Sequence, residues 1–251
     1  MKKRSRGGLQ TAFQVSRKTL IVDLGGLRSV LSSAPRAGGI TRARYILNHQ
    51  VSAKPMVRDS RGPGTCVRCP DPARTLSKLA TSLGIRDKFV GLMTAVSLAD
   101  LVTVRETYDQ VWVEGFVTVG TSNAVQAGEP VTPSQRSSSA HPGTINLILV
   151  TNARLSASAM VGMVQVATEA KTAVLMRAKV KSWTGRPGAT GTGTDAVVVV
   201  SGNGPPMKYS GTHTVLGELV GRVIGTAVTA GLARYLHWHG RRTPHHRAKN
   251  L

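Results

Sequence analysis

Aromatic side chains are scarce in this chain: 4% of 251 residues, with three Phe, three Trp and four Tyr. Proteins that hold single-stranded nucleic acid stack bases on such rings, and little of that surface is available here. The formal net charge of +21 therefore does not by itself point to DNA or RNA. Much of the excess lies at the two ends. Lys2, Lys3, Arg4 and Arg6 open the chain, and Arg241, Arg242, Arg247 and Lys249 close it, with no acidic residue in residues 1–6 or 234–251. No helix-turn-helix or zinc-finger spacing accompanies them. Solvated basic tails are expected and no nucleic-acid partner, a basic nucleic-acid-associated protein being the weaker alternative.

Cysteine is almost absent. Two in the whole chain exclude a disulfide framework and fit a reducing, cytoplasmic compartment. The two form Cys66-Val67-Arg68-Cys69, flanked by Pro and Gly, which reads as an incidental loop pair or an optional disulfide. A zinc site would need further ligands, such as His49, and a redox pair would need a strand-to-helix setting. No metal and no cofactor are expected. A long apolar run suited to export is also missing after the charged start. The one candidate membrane segment, residues 215–236, carries Glu218 and Arg222, so a buried helix is expected and no membrane partner.

What is present is aliphatic: hydrophobic residues make up 41% of the chain. The expected fold is α/β, a single domain with a mixed β-sheet flanked by helices, an α+β sandwich being the alternative. A basic tail (1–18), a domain (19–236) with a Pro/Gly/Arg-rich insertion at about 54–72, and a His/Arg-rich tail (237–251) divide the chain. Residues 19–24 and 27–31 read as short strands around a Gly25-Gly26 turn. Residues 72–83 carry Leu76, Leu79, Ala80 and Leu83 at helical spacing behind a plausible Asp71 cap. Residues 89–95, 102–108 and 111–119 are β-like, the last two joined as a hairpin, and 144–150 suits a strand buried on both faces. Residues 156–179 read as a helix apolar almost all round, hence buried, which would leave Glu169 and Lys171 in need of partners. In the helix at 215–236, Gly217, Gly221 and Gly225 form a stripe that permits close backbone approach.

Several chemistries are excluded by pattern. There is no HExxH, GxSxG or Walker loop. The run Thr190-Gly191-Thr192-Gly193-Thr194-Asp195 precedes a strand, whereas a dinucleotide loop follows one and opens a helix. What remains is a set of polar residues at element ends: Asn152, Glu169, Lys171, Thr192, Thr194, Asp195, His213 and Glu218. Such ends are expected to converge on a crevice. A buried Glu169 would suit a general acid or base, or an ion pair in the core. His213, next to Thr212 and Thr214 and just before a helix, is either a neutral imidazole at the positive helix end or an exposed loop histidine. His237, His239, His245 and His246 read as solvated tail residues.

The motifs Asn152-Ala153-Arg154-Leu155, Ala167-Thr168-Glu169-Ala170-Lys171-Thr172-Ala173, residues 190–195 and Gly211-Thr212-His213-Thr214-Val215-Leu216-Gly217-Glu218 occur in that order. Leu31-Ser32-Ser33-Ala34-Pro35, Tyr45-Ile46-Leu47-Asn48-His49 and Thr121-Ser122-Asn123-Ala124 precede them. Together, over most of residues 27–231, the set resembles the adenosylcobinamide amidohydrolases of cobinamide salvage. That resemblance implies hydrolysis of the aminopropanol amide of adenosylcobinamide to adenosylcobyric acid, with the corrinoid as substrate and partner; a non-catalytic corrin-binding module is the alternative, and a homo-oligomer is left open. It implies catalytic roles among Glu169, Asp195, His213 and Thr194, and substrate binding by Asn152, Lys171, Thr192, Gly193, Glu218, Ser33 and Asn123. Glu169 or Asp195 would activate water, His213 would protonate the leaving amine, and Asn152 with the glycine-loop N–H groups would hold the oxyanion or the corrin amides. A Thr194 nucleophile is the rival.

Overall fold

Alternation along residues 111–119 sets the centre of the molecule, because Val111, Val113, Val117 and Val119 all turn to one face and are all buried. The computed structural model describes residues 4–5, 11–51, 71–130 and 143–240. Its strands are β1 (Arg4–Ser5), β2 (Ala12–Ser16), β3 (Thr19–Ser32), β4 (Gly39–Gln50), β5 (Phe89–Thr94), β6 (Val102–Tyr108), β7 (Val111–Val119), β8 (Ala124–Val125), β9 (Ile145–Thr151), β10 (Arg154–Leu155), β11 (Gly191–Thr192), β12 (Ala196–Val200) and β13 (Pro206–Met207). Its α-helices are α1 (Pro72–Ser82), α2 (Ala157–Arg177) and α3 (Val215–Gly240). The main sheet runs β1-β6-β7-β9-β12-β3-β4-β5, with β2 also on β3. β9 pairs parallel with β12 and β4 with β5, while the other pairs are antiparallel, so the sheet is mixed as expected. The expectations for Cys66 and Cys69, residues 54–70 and the tail after residue 240 lie outside the described residues.

The Gly25-Gly26 pair does not make a turn between two strands. β3 is one 14-residue strand, and its register against β4 shifts between Asp23 and Arg28. Gly25 at φ +70° supplies a backbone angle that bends a strand at a bulge without reversing it. The consequence is tertiary. Leu20, Val22 and Leu24 fold back over the sheet face that carries Phe116, Ile148 and Val150, making a second core. β2 closes it, with Phe13 edge-on to Phe116 at 5.2 Å.

The opposite face carries α2 and α3. Their Met163, Ala167, Val174, Val220, Val223 and Ala227 join Val113, Val117, Leu147, Leu149 and Val199 in the larger core. An ideal Cβ on Gly115 would stand 2.5 Å from Val223 Cγ1, so glycine there lets α3 sit close on β7. α1, capped by Asp71 accepting from Ala73 N at 2.9 Å, lays Ala80 against Ile21 and Leu47 near the β5 edge.

Two helix expectations need correction. α2 is not buried all round: Val161 and Met176 are 57% and 54% exposed, because only the sheet and α3 cover it and its outer side meets solvent. The glycine stripe of α3 is not a uniform contact either. A Cβ on Gly217 would lie 2.1 Å from Gly211 O, whereas Gly221 and Gly225 have nothing within 4 Å. By length and composition α3 is also the one described helix that could cross a membrane, but it packs on β6, β7 and α2.

Candidate active site

Strand direction decides which polar residues meet. β9 lies between β7, which runs opposite to it, and β12, which runs with it. The residues after β7 and those before β12 therefore both arrive at the start of β9. α2 begins beyond the far end of β9 and returns along the sheet, which brings Lys171 to the same place. Asn123, Gly143, Thr144, Lys171 and residues 190–195 share that end.

Asp195 is its centre. The carboxylate takes Lys171 Nζ at 2.6 Å, Ile145 N at 3.0 Å, Thr192 N at 3.1 Å and the Thr192 hydroxyl. Lys171 is 7% exposed. Taking both charges out of water is costly, and the pair is tolerable because the carboxylate is saturated with donors. With its oxygens engaged by these four donors, the carboxylate is placed to hold the turn rather than to face a substrate. Gly191 keeps the pair accessible to the loop: a Cβ there would stand 2.5 Å from Asp195 Oδ2 and 2.8 Å from Lys171 Nζ.

β11 pairs with β8, so Thr192 lies opposite Ala124 and Gly193 faces Asn123 Nδ2. Asn123 Oδ1 is buried and has no hydrogen-bond partner among the described residues. Leaving an acceptor so costs about 1–3 kcal/mol, which a ligand N–H would recover. Beside it, two threonines clasp one another. Thr144 Oγ1 donates to Thr194 O at 2.7 Å, and Thr194 Oγ1 donates to Gly143 O at 3.1 Å.

Beneath the clasp runs a buried polar chain. Thr144 Oγ1 also lies 3.3 Å from Asn146 Oδ1; Asn146 Nδ2 donates to Asn48 Oδ1 and Met93 O; Asn48 Nδ2 donates to Thr118 Oγ1. Tyr235, near the end of α3, hydrogen-bonds Thr121 and Ser122, and burial raises its pKa above the ordinary value of 10. Gly143, Thr144, Asn146, Asn48 and Tyr235 were not among the expected site residues. The available signal was an asparagine within a short apolar stretch of each strand, Ile145-Asn146-Leu147 in β9 and Ile46-Leu47-Asn48 in β4.

Other expected residues lie elsewhere. Asn152 ends β9 at the opposite end, about 23 Å along a seven-residue strand. Its side chain is spent on the β6–β7 hairpin, accepting from Trp112 N at 3.0 Å and donating to Gln110 O at 2.7 Å. His213 is exposed in the turn before α3, at that same end, and Thr214 caps the helix by accepting from Gly217 N. Glu218 pairs with Arg222 one turn on. Glu169 is exposed on α2 and accepts from Gln165 at 3.2 Å, so the buried acid expected from the apolar helix is not formed. Ser33 reaches the Asp195 end, but its N and Oγ are bonded to Val197 backbone.

A hollow of about 410 Å³ opens at the Asn152 end, lined by Asp23, Arg28, Trp112, Asn152 and Asn203 among others. It is not beside the ion pair. The Asp195 end is the better candidate, because it holds a buried charge pair, a cluster of threonine hydroxyls and an acceptor with no partner among the described residues, whereas the polar atoms of Asn152 are already used by backbone. Amide hydrolysis needs a nucleophile, donors for the oxyanion and a proton for the amine. Thr194 brings a hydroxyl to the exposed turn, Thr144 holds a second one buried beneath it, and Asn123 Oδ1 offers an acceptor for an amide N–H.

The family model described as adenosylcobinamide amidohydrolase matches residues 4–240. An adenosylcobinamide amidohydrolase of Methanosarcina mazei is 31% identical over 230 residues, covering 88% of this chain and 96% of its own. An uncharacterized protein of Methanocaldococcus jannaschii is 28% identical over 236 residues, 86% of each. Among solved structures, the l-aminopeptidase D-Ala-esterase/amidase of Ochrobactrum anthropi matches 95% of this chain and 92% of its own, at 11% identity and a TM-score of 0.39. That last likeness is too low to say anything of the site.

Proposed function

Since the chain belongs to the adenosylcobinamide amidohydrolase family, we propose that it hydrolyses the amide joining aminopropanol to the corrin ring of adenosylcobinamide, releasing adenosylcobyric acid. The observation that carries this reading is the gathering of Asn123, Lys171, Thr192, Gly193, Thr194 and Asp195, far apart in sequence, at the start of β9 and β12. Asn123 Oδ1 accepts the N–H of the scissile amide and so orients its carbonyl. The Thr194 hydroxyl, turned from Gly143 O, supplies a donor to the developing oxyanion. Asp195 and Lys171 hold the turn in place and act by positioning, not as the attacking base. The corrin body lies over this end of the sheet as substrate.

Incubating purified protein with adenosylcobinamide and following aminopropanol by mass spectrometry tests the reading. Release that slows about a hundredfold in Asn123→Ala is expected. Tight binding of adenosylcobinamide without release would instead favour a corrin-binding module.

A further inference from the structure

The candidate site has hydroxyls but, among the described residues, no proton acceptor facing them. Thr192's hydroxyl is committed to Asp195, and Asp195 carries four donors already. Thr144 Oγ1 faces Thr194 O and Asn146 Oδ1, a peptide carbonyl and an amide oxygen, neither of which takes up a proton at neutral pH. Thr144 is also 4% exposed, so no substrate amide reaches its hydroxyl in the intact chain.

Three observations bear on the peptide bond just before it. The Thr144 hydroxyl is a β-hydroxyl on the residue after Gly143, so attack on the Gly143 carbonyl carbon closes a five-membered ring. Thr194 Oγ1 donates to Gly143 O at 3.1 Å, where negative charge would form during that attack. Gly143 itself is packed against Ser122, whose Oγ and N would stand 2.6 and 2.7 Å from an added Cβ, so the carbonyl is held with little freedom. The Asn146–Asn48–Thr118 chain, a buried polar network, fixes the hydroxyl from below.

We propose that the chain cuts its own Gly143–Thr144 bond, and that the freed Thr144 is the nucleophile for amide hydrolysis. In the first stage Oγ1 bonds to the Gly143 carbonyl carbon, the C–N bond breaks, and the hydroxyl proton passes to the Thr144 nitrogen. Water then splits the resulting ester, leaving a Gly143 carboxylate and a Thr144 with free amine and free hydroxyl. Scission supplies the missing base and uncovers the hydroxyl together. In the second stage the α-amine takes the Oγ1 proton as the oxygen attacks the substrate carbonyl, and delivers it to the departing aminopropanol nitrogen. Water, activated by the same amine, releases the acid from Oγ1. This second stage rests on the function proposed above, and the first does not.

Intact-mass measurement of the purified full chain tests it without substrate. Two polypeptides, residues 1–143 and 144–251, are expected, the second beginning Thr-Ile-Asn-Leu. Thr144→Ala stays whole, Thr144→Ser is cut, and Thr194→Val slows the cut about tenfold or more, as loss of an oxyanion donor does. A preparation folded by circular dichroism that remains one chain overturns the proposal, as does a Thr144→Ala chain cut at the same bond. Two chains that release no aminopropanol would sink the proposed function while leaving the scission standing; one intact chain that does release it would do the reverse.

Discussion

At the scale of single residues the most consequential contact is the Lys171–Asp195 pair at 2.6 Å. Removing one partner of a buried pair leaves an uncompensated charge, so Lys171→Met is expected to cost about 3–5 kcal/mol in urea denaturation. His49 makes a different prediction. Its Nδ1 shares a 2.9 Å hydrogen bond with Thr19 Oγ1, and burial pushes its pKa below the usual 6.5. The unfolded chain then takes up a proton at His49 at a pH where the folded chain does not. Stability therefore falls as pH drops below about 6.5, and the loss levels off once the folded imidazole also protonates. Melting temperatures from about pH 7 down to 5 should show that slope in the parent and a shallower one in His49→Gln.

The elements are where local pattern served best. Spacing of Leu76 and Ala80 behind Asp71 located α1, alternation located β7, and an apolar run broken only by Asn146 located β9, because each depends only on neighbours along the chain. Composition misled on α2, since an apolar helix with one uncovered side reads like a buried one. Spacing likewise could not say which glycines of α3 touch anything. That distinction is testable. Gly221→Ala and Gly225→Ala, with nothing within 4 Å, should each stabilise the protein by about 0.5–1 kcal/mol through helix propensity and a less flexible unfolded chain. Gly115→Ala, which meets Val223 at 2.5 Å, should destabilise it by about 1–3 kcal/mol. Both are read from shifts in the urea midpoint.

Across the whole molecule the sheet has two ends, and the expected site residues divide between them. Asn152, His213 and Glu218 stand at the end where α2 and α3 begin. Asn123, Lys171, Thr192, Gly193, Thr194 and Asp195 stand at the other. Steady-state rates on adenosylcobinamide should follow that division: Asn123→Ala should lower kcat by about a hundredfold, as losing a transition-state hydrogen bond does, and His213→Ala by no more than about threefold. Comparable large losses at both residues would mean that the substrate spans both ends.

Local sequence determined many of the elements, though not the continuity of β3 or the presence of β4, together with the mixed α/β class and the family, because periodicity, caps and ordered motifs are properties of short stretches. It did not determine which motifs meet. Thr121-Ser122-Asn123-Ala124 and Thr151-Asn152-Ala153 read alike, each just after an apolar strand. β7 and β9 are antiparallel, so the two turns finish at opposite ends of the sheet, one beside an ion pair and the other latched to a hairpin. Only the pairing of strands, a long-range choice made by burial on both faces, put Asn123 and Asp195 together and left Asn152 outside.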